Sequence, residues 1–213
     1  RISYPVPRTT HPELLGDFAA ALRPRLAGDL RLDPMTRALY ATDASLYQVQ
    51  PIGVLIPKHV DDVQAALEAA SRFHLPVLPR GAGSSLAGQA AGAALVIDFT
   101  KHLDAIMHVD VEAAAVRVQP GVVLDHLNAA LAGHGLMVGP DPAPSNRATL
   151  GGMVGNNATG THSILYGNVV NHIRAIDALL ADGSQAHFGP LAPAMWDQHL
   201  KKNGLEGESP APA

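Results

Sequence analysis

The chain has 213 residues, 47% hydrophobic and 16% charged, a composition typical of a globular protein that can bury a substantial core. A formal net charge of -4, 4% aromatic residues and the lack of a basic run disfavour nucleic acid as a partner. The absence of cysteine excludes a disulfide, a thiolate zinc site and an iron–sulfur cluster within this chain. No histidine pair has the H-x-x-x-H or H-E-x-x-H spacing, and no apolar run approaches the roughly 20 residues of a membrane helix. We therefore predict neither a metal site nor a transmembrane segment.

Apolar residues at helical spacing alternate with short apolar runs through the first hundred residues. The sequence predicts helices over residues 11–23 and 59–74 and strands over residues 53–57, 76–80 and 94–99. The order strand, helix, strand is typical of a βαβ unit. Further on, the sequence predicts strands over residues 106–110 and 114–121, a helix over 122–135, a hairpin over 174–188 and a short helix near 196–201.

The second strand of the βαβ unit leads into PRGAGSSLAGQ, residues 79–89, which is rich in accessible main-chain N–H groups. Gly81 and Gly83 fit a dinucleotide fingerprint, but its third glycine is displaced to Gly88. Gly83 and Gly88 have the spacing of a P-loop, but neither the lysine nor the following hydroxyl is present. The chemistry of both motifs is missing. A main-chain nest for a diphosphate and a purely structural turn remain as alternatives.

A second segment, GPDPAPSNRATLGGMVGNNATGTHSILYGN at residues 139–168, has little periodicity. Aperiodic stretches of this length inside a compact domain are uncommon unless they are functional. The segment also carries apolar residues such as Leu150 and Met153. A buried loop must satisfy its main-chain polar groups, and a bound ligand can do that. A solvated surface loop is the alternative interpretation.

The two segments, in this order and at this separation, resemble the FAD-binding domain of the vanillyl-alcohol oxidase and p-cresol methylhydroxylase superfamily. Within that superfamily the sequence is similar to FAD-linked D-lactate, D-2-hydroxyglutarate and glycolate dehydrogenases. The flanking pieces YATDASLY, PKHVDDV, VQPGVVLDHLN and LLADG belong to the same pattern, which spans residues 36–188.

The resemblance implies an α+β fold with two subdomains and FAD wedged between them. We expect a small βαβ-containing subdomain, a break near residues 100–105, and a larger mixed sheet with flanking helices. Residues 1–35 would be an N-terminal helical lead-in, 36–188 the FAD-binding domain, and 189–213 a tail or the start of a further region. The family's GS-E-G-T-type segment and its substrate-binding domain are not found, so we expect the domain to be incomplete.

The family's cofactor contacts can be carried onto matching positions of this chain. The first segment wraps the FAD pyrophosphate, and the second lies along the pyrophosphate, the ribityl chain and the flavin. Some relatives attach FAD covalently through a histidine in the first segment, but Ser84 stands at that position and implies non-covalent FAD. The implied cofactor-binding residues are Pro79, Arg80, Gly81, Ala82, Gly83, Ser84, Ser85, Gly88, Gln89, Pro140, Asp141, Thr149, Gly151, Gly152, Asn156, Asn157, Gly160, Ser163 and Gly167.

The resemblance further implies oxidation of a D-2-hydroxy acid to a 2-oxo acid by hydride transfer to FAD. Electrons would then pass to a quinone, a cytochrome or another carrier. The catalytic residues, and any metal or iron–sulfur cluster, are expected outside this chain, which alone would be inactive. We expect a cytoplasmic location, with peripheral membrane association left open. The alternatives are an FAD-dependent oxidase of a sugar or an aromatic alcohol, and a cofactor-less binding module.

Overall fold

A computed structural model describes residues 12–192 as a mixed arrangement of helices and sheets, which confirms the α+β class. The predicted helix near residues 196–201 lies outside the described residues. The first part of the chain contains α1 (Pro12–Leu22), β1 (Asp29–Arg31), α2 (Pro34–Leu39), β2 (Gly53–Ile56), α3 (Val60–Arg72), β3 (Val77–Arg80) and β4 (Leu95–Asp98). The second part contains β5 (Ile106–Asp110), β6 (Ala115–Val118), α4 (Leu124–Ala132), α5 (Leu150–Gly155), α6 (Ser163–Tyr166), β7 (Ile176–Leu179) and β8 (Gln185–Phe188).

The first part is built on a four-stranded sheet in the order β1-β2-β4-β3. Strand β1 is antiparallel to β2, whereas β2, β4 and β3 are parallel to one another. Helices α1 and α3 pack together on this sheet, with Phe18 and Phe73 edge to face at 5.8 Å between ring centroids. The βαβ unit is therefore confirmed, and its β3 strand delivers residues 79–89 to the carboxyl edge of the sheet.

In the second part the strands form two separate antiparallel ribbons, β5-β6 and β7-β8. Helix α4 packs on the β5-β6 ribbon through Leu127 and Leu131, which meet Val109 and Val116. The two parts join at Gly121, whose N–H donates to the Leu103 carbonyl at 2.8 Å. A Cβ at Gly121 would lie 2.0 Å from the Phe99 carbonyl oxygen, so only glycine fits this junction, which lies beside the predicted break.

Four elements in three regions of the chain differ from the sequence-based expectation. Helix α2 was not predicted, although Asp33 before Pro34 is a helix-start signal, and the Asp33 carboxylate accepts the Thr36 N–H at 2.8 Å. Strand β1 lies inside the predicted lead-in, yet it is the edge strand of the first sheet. Residues 139–168, predicted as aperiodic, contain the short helices α5 and α6. Helix α5 has the sequence LGGMVG, and three glycines in six residues hide a helix from propensity.

Asp62 fixes the start of α3 and is only 2% exposed. Its carboxylate accepts main-chain N–H groups of Ala27 at 2.7 Å, Lys58 at 2.7 Å and His59 at 3.2 Å. Burial raises the pKa of Asp62, but these hydrogen bonds outweigh burial and hold the pKa below the ordinary 3.8. The charged carboxylate therefore ties α3 to the turn that precedes β1.

Replacing Asp62 by Asn keeps the side-chain shape but removes the charge and one acceptor. We expect the free energy of unfolding to fall by about 1–3 kcal/mol near neutral pH, as measured by urea denaturation. Because the folded-state pKa is depressed, the stabilisation is present above pH 3.8 and is lost as pH falls through the folded value. The difference between wild type and Asp62→Asn should shrink in acid. A constant difference, or an equal loss in the exposed neighbour variant Asp61→Asn, would contradict this role.

Candidate cofactor-binding site

Residues 81–90, which follow β3, form a loop that we call the glycine loop. Gly83 and Gly88 have φ of 68° and 82°, in the left-handed region that favours glycine. Gly81 and residues 83–85 of the loop are half-buried, whereas Ala82 and Leu86 are exposed. Among the described residues, no protein acceptor receives the main-chain N–H groups of residues 81–86. A row of accessible main-chain donors without protein acceptors suits an anionic ligand.

A second stretch, residues 40–49, folds back beside the glycine loop, and we call it the strap. It is closed on itself by the Val49 N–H, which donates to the Ala41 carbonyl at 2.8 Å. The strap contacts the loop through the Ala44 N–H, which donates to the Gly83 carbonyl at 3.0 Å. A second contact comes from the Ala90 N–H, which donates to the Asp43 carboxylate at 3.1 Å. The sequence piece YATDASLY therefore supports the glycine loop from one side.

The two motif segments meet at Gly81 and Thr149. A Cβ on Gly81 would lie 2.1 Å from the Thr149 hydroxyl oxygen, so the absence of a side chain allows the approach. Thr149 is 3% exposed, and within the described residues its hydroxyl has no hydrogen-bond partner. Gly152 is close to the same hydroxyl, because a Cβ built on Gly152 would lie 3.2 Å from the Thr149 hydroxyl oxygen. The structure thus brings together Gly81, Thr149 and Gly152, three of the residues that the resemblance assigned to cofactor binding.

Thr149 is placed by residues 120–123, which form a seat for the start of α5. Val123 and Thr149 are bridged in antiparallel fashion. The Leu150 N–H donates to the Val122 carbonyl at 2.9 Å, and the Gly151 N–H donates to the Pro120 carbonyl at 2.8 Å. A Cβ on Gly151 would come within 2.7 Å of the Pro120 ring. Because residue 151 is a glycine, the main chain at the start of α5 can pack directly against the main chain of residues 120–123.

Further along the second segment, Asp141 organises a compact turn. Its carboxylate accepts the His162 N–H at 2.7 Å and lies 2.8 Å from the His162 Nδ1 atom. The Gly160 N–H donates to the Ser163 hydroxyl at 3.0 Å, and a Cβ on Gly160 would lie 2.0 Å from the Asp141 carbonyl oxygen. Gly160 is thus in contact with both Asp141 and Ser163, and these three predicted site residues shape the turn between α5 and α6.

The remaining predicted residues of this segment have varied surroundings. Asn157 has φ of 45° and accepts the Val170 N–H at 3.0 Å, so its side chain serves the local turn. Asn156 ends α5, and its exposed side-chain amide has no hydrogen-bond partner within the described residues. Gly167 has φ of 81° at the end of α6, and Pro140 is buried. Asn156 is therefore the asparagine of this pair that remains available to a ligand.

Three predicted residues of the first segment also contact the protein. Pro79 is an exposed residue of β3, paired with Ile97 of β4. The Ser85 hydroxyl is hydrogen-bonded to the Gln89 side chain. What the segment offers outward is therefore mainly its main chain.

Sequence reasoning left out several residues that shape this site, namely Tyr40, Asp43, Asp98 and Pro120. The Tyr40 hydroxyl donates to the buried Asp98 carboxylate at 2.5 Å, and burial together with this hydrogen bond raises the pKa of Tyr40. The signal for Tyr40 and Asp43 was present in YATDASLY, but a single sequence does not show what those side chains contact.

The described residues fit a diphosphate-containing cofactor in two respects. Main-chain donors are unsatisfied along residues 81–86, and glycines line both segments where they converge. Among residues 12–192, no three His, Asp or Glu residues cluster in a way that could hold a metal ion. In the same part of the chain, no helix is both long and apolar enough to cross a membrane.

Residues 51–189 match the family of FAD binding domains, and the chain belongs to that family. It is 37% identical over 212 residues to D-2-hydroxyglutarate dehydrogenase of Pseudomonas putida, covering 98% of this chain and 21% of that protein. It is 32% identical over 156 residues to the glycolate oxidase subunit GlcD of Bacillus subtilis, covering 72% of this chain and 33% of that protein. The chain thus spans between a fifth and a third of the length of these curated relatives.

Solved structures share the fold at low sequence identity. An alkyldihydroxyacetonephosphate synthase superposes with a TM-score of 0.71 at 19% identity, over 88% of this chain and 36% of that one. A carbohydrate oxidase from Microdochium nivale superposes with a TM-score of 0.67 at 19% identity, over 80% of this chain and 36% of that one. These likenesses confirm the expected fold.

Gly81→Ala tests the convergence of the two segments. The new Cβ would overlap the Thr149 hydroxyl oxygen, and overpacking of this kind costs about 1–3 kcal/mol of stability. We expect FAD retention, measured by flavin absorbance, to fall in parallel. Adding Thr149→Ala removes the overlapping oxygen and leaves the nearest Thr149 atom 3.4 Å away, so the double variant should recover stability.

The matched control for Gly81→Ala is Gly155→Ala in α5, where a built Cβ meets nothing within 4 Å. That substitution should leave flavin retention unchanged and stabilise the helix by up to about 1 kcal/mol. Equal behaviour of Gly81→Ala and Gly155→Ala would show that the contact at Gly81 does not shape the site.

Proposed function

We propose that this chain is the FAD-binding part of a flavin-dependent dehydrogenase that oxidises a D-2-hydroxy acid to a 2-oxo acid. Support comes from membership of the FAD binding domain family and from the two relatives, whose names specify D-2-hydroxyglutarate and glycolate. The observation that carries the proposal is the row of unsatisfied main-chain donors at residues 81–86, beside the convergence point of Gly81 and Thr149.

In this proposal the glycine loop binds the FAD diphosphate with main-chain N–H groups, assisted by the Ser84 hydroxyl. Ser85, whose hydroxyl donates to Gln89, contributes its main-chain N–H. Thr149 offers a buried hydroxyl without a protein partner, and a bound polar ligand would satisfy it. Asn156 offers an amide to a polar edge of the cofactor. Gly151 and Gly152 let the main chain approach. The other proposed contacts, unchanged from the sequence-based prediction, are Ala82, Gly83, Gly88, Gln89, Pro140, Asp141, Asn157, Gly160, Ser163 and Gly167.

Bound FAD supplies a two-electron acceptor for the hydroxy acid. The residues of this chain bind and orient that group. The groups that clamp the substrate carboxylate and take its hydroxyl proton are proposed to lie in the remainder of the protein, because this chain spans only a fifth of the Pseudomonas relative. The electron acceptor is proposed to be a quinone, a cytochrome or another carrier.

The diphosphate assignment predicts an order of affinities for flavins. Purified chain titrated with FAD, FMN and riboflavin should bind FAD most tightly, because only FAD has the diphosphate that residues 81–86 would receive. Flavin fluorescence quenching and visible absorbance measure each dissociation constant. Equal affinity for FAD and riboflavin, or no binding of FAD, would contradict the assignment. Since Ser84 cannot form the histidyl linkage of some relatives, acid precipitation should release all flavin into the supernatant.

The substrate class is tested on the full-length protein. D-2-hydroxyglutarate, D-lactate and glycolate should reduce a dye acceptor, and the L enantiomers of the first two should be much poorer substrates. Preferential turnover of sugars or aromatic alcohols would favour the oxidase alternative. A full-length protein that is colourless and does not bind added FAD would favour a cofactor-less binding module.

A further inference from the structure

The Arg80 side chain is turned into the protein and donates to main-chain carbonyls. Its Nη1 atom donates to the Ala90 carbonyl at 2.7 Å and to the Tyr40 carbonyl at 3.3 Å. Its Nη2 atom donates to the Thr42 carbonyl at 2.8 Å. Three of the five guanidinium N–H groups are therefore used to join the strap to the far end of the glycine loop.

The guanidinium is also packed tightly from two sides. It lies 5.3 Å from the centre of the Tyr40 ring, a cation–π distance. Tyr40 is itself fixed by the hydrogen bond from its hydroxyl to Asp98, which is 4% exposed. In addition, a Cβ on Gly83 would lie 2.5 Å from the Arg80 Nη2 atom. Gly83 therefore rests directly on the guanidinium.

Other contacts between the strap and the glycine loop complete the same unit. The Asp43 carboxylate accepts the Ala90 N–H at 3.1 Å and the Ser45 N–H at 2.9 Å. Partial burial raises the pKa of Asp43, but hydrogen bonds from Ser45 and Ala90 and the positive charge of Arg80 outweigh burial and lower the pKa. Arg80 and Asp43 are thus oppositely charged groups that are both hydrogen-bonded to main-chain atoms of the strap. Each of them is also hydrogen-bonded to the main chain of Ala90 at the far end of the glycine loop.

We propose that Arg80 is a positioning residue that sets the conformation of the glycine loop, and that it is not a ligand of the phosphates. The guanidinium fixes both ends of the loop from beneath, so that the N–H groups of residues 81–86 stay directed away from the protein. This inference rests on the proposed FAD function and revises one predicted contact within it. A phosphate bound directly by the engaged Nη atoms would compete with three main-chain carbonyls.

Lysine separates the two roles of Arg80. A lysine ammonium keeps the positive charge and is a good phosphate ligand, but it lacks the planar fork that reaches several carbonyls at once. If Arg80 positions the loop, Arg80→Lys should behave like the uncharged variant Arg80→Met. If Arg80 binds phosphate, Arg80→Lys should retain much of the wild-type affinity.

The first measurement is the FAD dissociation constant at several salt concentrations. We expect Arg80→Lys and Arg80→Met both to weaken FAD binding by at least about tenfold. The salt dependence of FAD binding should stay that of wild type, because in this proposal Arg80 makes no charge contact to a phosphate. The matched control is Arg37→Lys, in which an arginine that donates to a single carbonyl, that of Pro51 at 2.8 Å, is changed in the same way. It should bind FAD like wild type. Retained affinity in Arg80→Lys, or a reduced salt dependence in Arg80→Met, overturns the proposal.

The second measurement needs no cofactor. Amide hydrogen exchange of the FAD-free chain should be at least about tenfold faster at Ala44 and Ala90 in both Arg80 variants, while the amides of α3 keep wild-type protection and report an intact fold. Unchanged exchange at Ala44 and Ala90 overturns the proposal. A wild-type chain that binds no FAD would refute the proposed function, while the exchange measurement would still decide the role of Arg80.

Discussion

The close approach of Gly81 to Thr149 is the constraint on which the site depends. A side chain at position 81 would occupy the place of the Thr149 hydroxyl, so the end of β3 and the start of α5 can meet only across a glycine. These two points belong to different parts of the fold, one to the parallel sheet and one to the seat formed by residues 120–123. Gly121 imposes the same requirement at the junction of the two parts. Gly81 and Gly121 thus determine how closely the two parts of the fold approach each other.

The close approach of these main chains removes polar groups from water, and the described residues do not offset the free-energy cost of that desolvation. The N–H groups of residues 81–86 are partly removed from water without gaining protein acceptors, and the Thr149 hydroxyl is buried without a partner. A ligand that supplies acceptors to these donors would bind the folded chain and not the unfolded one, and would therefore stabilise the fold. The affinity for a cofactor and the stability of the fold therefore depend on the same N–H groups and on the same hydroxyl.

The sequence was most informative where a periodic pattern or a turn residue determines the local structure. Helix α3 and the β7-β8 hairpin around Gly183 followed from spacing alone, and Gly183 has the positive φ that such a turn uses. Helix α5 did not follow, because LGGMVG has weak helix propensity and is held by hydrogen bonds to Pro120 and Val122. Those partners lie far away in the chain, so no local pattern reports them. The convergence of Gly81 with Thr149 was available only through resemblance to a family.

Arg80 illustrates why residue type alone does not determine a role. An arginine beside a glycine-rich loop suggests a phosphate ligand, since charge and position are all that a sequence displays. Whether the guanidinium N–H groups reach a ligand depends on which protein acceptors compete for them. Here the competing acceptors are the carbonyls of Tyr40 and Thr42 in the strap. The strap precedes the glycine loop by a whole βαβ unit, so the local sequence around Arg80 does not reveal these acceptors. A loop that binds anions through main-chain N–H groups benefits from a fixed conformation, because donors that already point to one place lose less conformational freedom when the ligand binds. The hydrogen bond between Tyr40 and the buried Asp98 connects the strap to the inner strand β4, so the glycine loop is held in place by the sheet that precedes it.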